Sequence, residues 1–254
     1  MCASSNQDPL LAQKIAFLKQ IPFFANLDEQ NLAALVSDFD RRKYDKDVVI
    51  FHQGDNDREL YVVAKGKVRI FKTSPSGEET SIQIFSTHDI IGEFATIDDH
   101  PRSATAMAIT PCTLLRMKQE RVLLHLNRMP NLALELARLL ATKLRWTAAY
   151  AEAIAQYDTA GRLLHILLLY NEQFGERIET DGAKERYLLD LSLNQAGLAS
   201  LVGARREWVN RILRDWRKRG LIEYGAGRIT ILDLAAVERE RDGRIEAFRD
   251  EGGW

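Results

Sequence analysis

The spacing of apolar positions changes along the chain. From Leu10 to Leu18 and from Asp28 to Phe39 apolar residues recur at helical intervals, which predicts two short amphipathic helices. The period then drops to that of strands in Val48–Phe51, Leu60–Val63, Val68–Phe71, Ser81–Phe85, Ala104–Ile109 and Leu114–Met117. Turn signals separate these runs at Gln53-Gly54-Asp55, Lys65-Gly66-Lys67 and Pro75-Ser76-Gly77. Many short strands at close spacing predict a barrel or sandwich. Between Pro130 and Asp158, Leu134, Ala137, Ala141, Leu144, Ala148, Ala151 and Ala155 follow one another in alternating three- and four-residue steps, the heptad seam of a long helix. Its alanines let a second helix approach closely. The expectation is a homodimer through this seam, with an alanine-rich contact inside one chain as the alternative.

The most informative stretch runs from Asn194 to Arg214. Asn194 is placed to cap a helix whose apolar stripe is Leu198, Leu201 and Val202, and Gly203 ends it. A second stripe, Val209, Ile212, Leu213 and Trp216, predicts another helix immediately after. Two short helices about a glycine turn have the shape of a helix-turn-helix DNA reader. With the second stripe facing the core, Arg206, Glu207, Asn210, Arg211 and Arg214 project on the other side. Arg pairs with both acceptors of guanine, and Glu accepts from the cytosine amino group. Leu221–Tyr224 and Arg228–Leu232 then flank Gly225-Ala226-Gly227, a hairpin signal that makes the unit a winged helix.

Charge sharpens this picture. Between Gly203 and Arg228 the bases are residues 205, 206, 211, 214, 217, 218, 219 and 228 and the acids 207, 215 and 223, whereas the 254-residue chain has 35 bases against 36 acids. Positive charge is therefore concentrated where a phosphate-tracking surface is needed. No run approaches the roughly 18 uninterrupted apolar residues of a membrane span, and no basic patch with a long apolar run opens the chain, so a cytoplasmic protein without a membrane partner is expected. Cys2 and Cys112 are too few for a disulfide framework or a four-cysteine iron–sulfur cluster, and His52, His88, His100, His125 and His165 lack metal-site spacing. Neither metal nor haem is expected. No nucleophile elbow, phosphate loop or zinc-protease motif occurs, so the chain is not expected to be an enzyme.

Within the strand-rich part lies Gly92-Glu93-Phe94-Ala95, followed by Pro101-Arg102-Ser103-Ala104-Thr105. Gly92 permits close backbone approach, Arg102 supplies a fixed positive charge and Ser103 a hydroxyl donor for an anion. Glu93 fits beside a ribose hydroxyl on the same ligand. The alternative is a Glu93–Arg102 ion pair closing an empty loop.

These two runs resemble the phosphate-binding cassette of cyclic-nucleotide-binding domains. Together with Arg206, Glu207 and Arg211 in a winged helix, they resemble the cyclic-AMP receptor protein and fumarate-nitrate regulator family of bacterial transcription factors, from about Ile21 to Leu232. The resemblance implies an α+β protein. Its parts would be a β-roll of the double-stranded jelly-roll kind over residues 1–129, a dimerisation helix over 130–157 and a winged helix with a tail over 158–254. It also implies a cyclic AMP-like effector held by Gly92, Glu93, Phe94, Arg102 and Ser103, with Thr147 at the base. In the reading head it implies DNA contacts from Arg206, Glu207 and Arg211 to a near-palindromic site with TGTGA-like half-sites. Gln195 matches a phosphate-contact position, while Arg205, Asn210, Arg214 and Lys218 complete the polar, mostly basic face. RNA polymerase is a further implied partner. Ala148, Arg205 and Trp208 depart from the residues common in the family. A member active without ligand or sensing another metabolite stays open, as does a nucleotide-binding regulatory subunit of a partner enzyme. The tail from Asp233 to Trp254 has no assigned function; Leu234/Val237 and Ile245/Phe248 suggest weak helical turns for a packing or oligomer contact.

Overall fold

A computed structural model describes residues 9–178 and 184–245. They fall into two compact units, one from the chain up to Ile70 together with Ile84–Leu144, the other from Phe71–Gln83 together with Arg145 onward.

The first unit opens with helices α1 (Pro9–Lys19) and α2 (Glu29–Val36). Asp28 caps α2, its carboxylate accepting from the Asn31 N–H at 2.8 Å, and Leu32, Leu35 and Val36 form the buried stripe. Eight strands follow: β1 (Asp40–Tyr44), β2 (Val49–Phe51), β3 (Leu60–Lys65), β4 (Val68–Thr73), β5 (Glu79–Phe85), β6 (Ile90–Ile91), β7 (Thr105–Ala108) and β8 (Cys112–Met117). They form two four-stranded sheets, ordered β1-β8-β3-β6 and β2-β7-β4-β5. Alternation along β8 turns Leu114 toward the cluster of Val63, Val68, Phe85 and Ile91. Leu115 turns toward the cluster that α1 and α2 build with Leu18, Phe24 and Leu35.

Strand β1 escapes the apolar pattern because Asp40, Arg41, Arg42 and Lys43 are all exposed. It is an edge strand, and charges on an edge discourage pairing with other chains. Between β6 and β7 lies the short helix α3 (Glu93–Asp98), and after β8 come α4 (Gln119–Arg128) and the 27-residue α5 (Pro130–Gln156). Pro130 suits the first turn of α5, where its missing N–H is not needed.

The second unit contains the parts of β4 and β5 within Phe71–Gln83 and the later part of α5, then α6 (Thr159–Phe174), β9 (Glu176–Ile178), β10 (Arg186–Asp190), α7 (Gln195–Val202), α8 (Arg206–Lys218), β11 (Ile222–Gly225), β12 (Arg228–Ile231) and α9 (Leu234–Asp242). The expected hairpin is present as β11–β12, but it belongs to a sheet of order β11-β12-β10-β9. The added strands are short and mixed in polarity, so their pattern is weak. The Leu234/Val237 pair lies on α9, with Val237 buried. Phe248 lies outside the described residues. Among those residues no helix is long and apolar enough to cross a membrane.

Candidate functional site

The cassette is built on the loop between β6 and β7. Gly92 has φ +85°, and a side chain there would collide with Arg102, whose Nη1 would sit 2.6 Å from the added Cβ. Glycine is required because the backbone turns left-handed and a guanidinium packs against it. Arg102 is only 2% exposed along its side chain. Its Nε and Nη2 donate to Asp57 Oδ2 at 3.2 and 2.8 Å, Nη2 also to the Glu59 carbonyl at 2.8 Å, and Nη1 to the Gly92 carbonyl at 2.9 Å. The guanidinium carbon lies 4.1 Å from the centre of the Phe51 ring. A guanidinium has five N–H donors, so one on Nη1 is left for a ligand. The loop that supplies Asp57 is pinned beside Arg102 by backbone bonds, Gly54 N to Arg102 O at 2.8 Å and Arg102 N to Asp55 O at 2.9 Å.

Glu93 is equally buried, 3% exposed, but pairs elsewhere: Lys143 Nζ on α5 lies 2.7 Å from its Oε1. Lys143 also donates to the Ile90 carbonyl at 2.8 Å and sits 4.6 Å from the centre of the Phe85 ring. The Glu93–Arg102 ion pair considered from sequence does not form. Each residue holds a different partner, and both stay fixed on one short loop. Phe94 and Ser103 are exposed. Thr147 lies on the exposed side of α5 within the second unit, and Trp146 beside it stacks on Tyr150 with ring centres 5.6 Å apart.

The helix pair in the second unit follows its sequence closely. Asn194 Oδ1 accepts from the Gly197 N–H at 2.9 Å, and Gly203 closes α7 with φ +63°. Leu198, Leu201, Val202, Val209, Leu213 and Trp216 are buried, while Ile212 is half-buried. Arg205, Arg206, Glu207, Arg211, Arg214 and Lys218 are exposed, and Gln195 and Asn210 are half-buried. Arg206, Glu207, Arg211 and Lys218 have no side-chain partner among the described residues. Arg214 Nε donates to the Asn210 carbonyl at 3.2 Å.

The cyclic nucleotide-binding domain family matches residues 41–128, and the Crp-like helix-turn-helix domain family matches residues 161–240. The cyclic AMP receptor protein of Thermus thermophilus is 30% identical over 222 residues, 87% of this chain and 97% of that protein. The chain belongs to the Crp/Fnr family. The CRP-like cAMP-activated global transcriptional regulator of Mycobacterium tuberculosis is 29% identical, over 87% of this chain and 97% of its own length. A structure of CooA from Carboxydothermus hydrogenoformans, 20% identical, shares the fold with a TM-score of 0.68 over 82% of this chain and 89% of that one.

This Crp/Fnr protein is thus a DNA-binding transcription regulator with a cyclic nucleotide-binding domain, and its relatives are regulators rather than enzymes. Two residues that hold the charged groups of its cassette escaped the sequence. Asp57 sits in a run legible only as a turn, and Lys143 flanks the helical seam. Their roles arise 45 and 50 positions away from the residues they hold.

Proposed function

We propose that the protein is a homodimeric, ligand-responsive regulator whose β-roll takes a cyclic nucleotide of the cyclic AMP kind and whose two reading helices select a near-palindromic, TGTGA-like site. Its working parts would be residues 1–129 for the effector, 130–157 for dimerisation and 158–254 for DNA, acting in the cytoplasm with RNA polymerase as a further partner. The observation that carries the effector reading is the burial of one carboxylate and one guanidinium on a single short loop beside a left-handed glycine. The remaining Nη1 proton of Arg102 and the Ser103 hydroxyl suit a cyclic phosphate. Glu93 retains acceptor capacity for a ribose hydroxyl while it binds Lys143. Phe94 offers an apolar face, and Thr147 is the residue proposed to meet the base. The Thermus and Mycobacterium relatives, a cyclic AMP receptor protein and a cAMP-activated regulator, favour cyclic AMP. The effector is the only small molecule the proposal requires.

For dimerisation, the seam residues Leu134, Ala137, Leu144, Ala148, Ala151 and Ala155 are exposed on the single chain, Leu144 by 70%. An apolar stripe left open on a long helix fits a second copy. For DNA, the unpaired Arg206 and Arg211 are assigned to guanines and Glu207 to a cytosine. Gln195, Arg205, Asn210, Arg214 and Lys218 are assigned to the flanks and phosphates. Effector binding would shift the population between two dimer states through the α5–α6 junction near Tyr157, Asp158 and Gly161.

Calorimetry against cyclic mono- and dinucleotides tests the effector. Saturable binding that weakens in Glu93→Gln is expected. Should no cyclic nucleotide bind at millimolar concentration, a regulator active without such a ligand replaces this reading, favoured by the pairing of Arg102 with Asp57 and of Glu93 with Lys143. Selection from random DNA is expected to yield an inverted repeat with half-sites about one helical turn apart.

A further inference from the structure

The tail beyond the wing, to which the sequence attached no function, carries a chain of ion pairs. At the break between α5 and α6, Asp158 caps α6, with Oδ1 accepting from the Gly161 N–H at 2.6 Å. Its Oδ2 accepts from Arg244 Nη1 at 3.1 Å. The Asp158 N–H donates to the Arg244 carbonyl at 3.2 Å, and Tyr157 pairs with Ile245 in an antiparallel bridge. Arg244 also grips Glu240 Oε1 with Nε at 2.9 Å and Nη2 at 2.7 Å. Glu240 in turn takes Arg219, the residue that closes α8, on both its oxygens, with Nη1 to Oε1 at 3.0 Å. Gly161 leaves no space in this corner, since an added Cβ would lie 2.9 Å from the Arg244 Cβ.

One carboxylate, Glu240, therefore serves two guanidiniums. Its side chain is 15% exposed, and the Arg219 hydrogen bond, followed by that of Arg244, holds its pKa down at about 2 against the penalty of burial. Isolated surface pairs contribute little, but two-pronged carboxylate–guanidinium contacts joined in a network fix direction as well as distance. The apolar stripe of α8 resists its departure from the core yet constrains its tilt weakly, because dispersion contacts are not directional. The Arg219–Glu240–Arg244–Asp158 chain supplies the missing directional constraint.

We propose that Glu240 and Arg244 are positioning residues for DNA recognition: they tie the C-terminal end of the reading helix to the first residue before α6 and so set the angle at which Arg206, Glu207 and Arg211 are presented. This rests on the base-reading role proposed above for α8. Base-edge hydrogen bonds need a narrow range of distance, whereas long Lys and Arg side chains follow phosphates through a small tilt. Loss of the clasp therefore lowers specific binding and leaves non-specific binding in place.

The test compares affinity for the selected site with affinity for scrambled DNA, at one salt concentration, in the full-length protein. Glu240→Gln removes a negative charge and by charge alone tightens binding to all DNA, while Arg244→Ala removes a positive charge and by charge alone weakens it. Positioning predicts that both variants, despite opposite charge changes, lower the specific-to-non-specific ratio about ten-fold. Should either variant fail to fold, Arg219→Lys keeps the charge, loses the two-pronged contact, and is expected to lower the same ratio. If the ratio is unchanged and the two affinities simply follow charge, the proposal is overturned. Arg206→Ala, run alongside, separates the failures: if it also leaves the ratio intact, the base-reading role of α8 has failed rather than the clasp alone.

Discussion

The cassette loop between β6 and β7 and helix α8 use charge in opposite ways. In the cassette Arg102 and Glu93 are buried and each holds partners within the fold, one Asp57 and two carbonyls, the other Lys143. On α8, Arg206, Glu207 and Arg211 are exposed, and no described side chain meets them. A buried charge must be paired to be tolerated, so the cassette's charged groups serve the fold first and the proposed ligand second. An exposed charge carries no such penalty and is free for an external partner. The contrast implies that cassette substitutions are read in stability as well as binding, and α8 substitutions in binding alone.

The largest expected effect tests whether exposure on this molecule marks an external partner. Glu at both Leu144 and Ala148 would bury four like charges in the proposed dimer, at a cost of several kcal/mol, and monomers are expected in light scattering. A mass that stays dimeric would remove the seam. Next, Arg102→Ala should cost about 3 kcal/mol in urea unfolding of the ligand-free protein, toward the low end for a broken buried pair, because Asp57 keeps some access to water. A loss below about 0.5 kcal/mol, the range of ordinary surface changes, would collapse the distinction between the two regions.

Arg206→Ala should leave unfolding unchanged and cost about 1–3 kcal/mol in binding the selected site, with specificity relaxed at one base pair. Equal weakening on every sequence would assign it to phosphate instead. Smallest, Lys218→Ala is expected to weaken all sequences alike and to reduce the slope of log affinity against log salt by about one. A sequence-selective loss there would extend the base-reading surface to the end of α8.

Most of the second unit's helices were legible because their signals are local. Asn194, Gly203 and the Val209/Leu213/Trp216 stripe lie within a few residues of what they cap, turn or bury. Strand β1 was not, since its exposed Asp-Arg-Arg-Lys run carries no alternation, and neither do Glu-Arg-Ile in β9 and Arg-Tyr-Leu-Leu-Asp in β10. In the cassette, the turn at Gly92 was legible, and the effector role of Glu93, Arg102 and Ser103 is a proposal that rests on residue type. The partners of Glu93 and Arg102 were not legible.

By itself the sequence determined helices α7 and α8, the long helix α5 and the composition of the cassette, because periodicity, caps and turn residues act over one or two turns of chain. Only the tertiary structure decided which of 36 acids and 35 bases meet. Arg102 finds Asp57 across 45 residues, Glu93 finds Lys143 across 50, and Arg244 finds Asp158 across 86. Coulomb attraction has no sequence period, so its partners are set by where packed helices and strands bring the chain back upon itself.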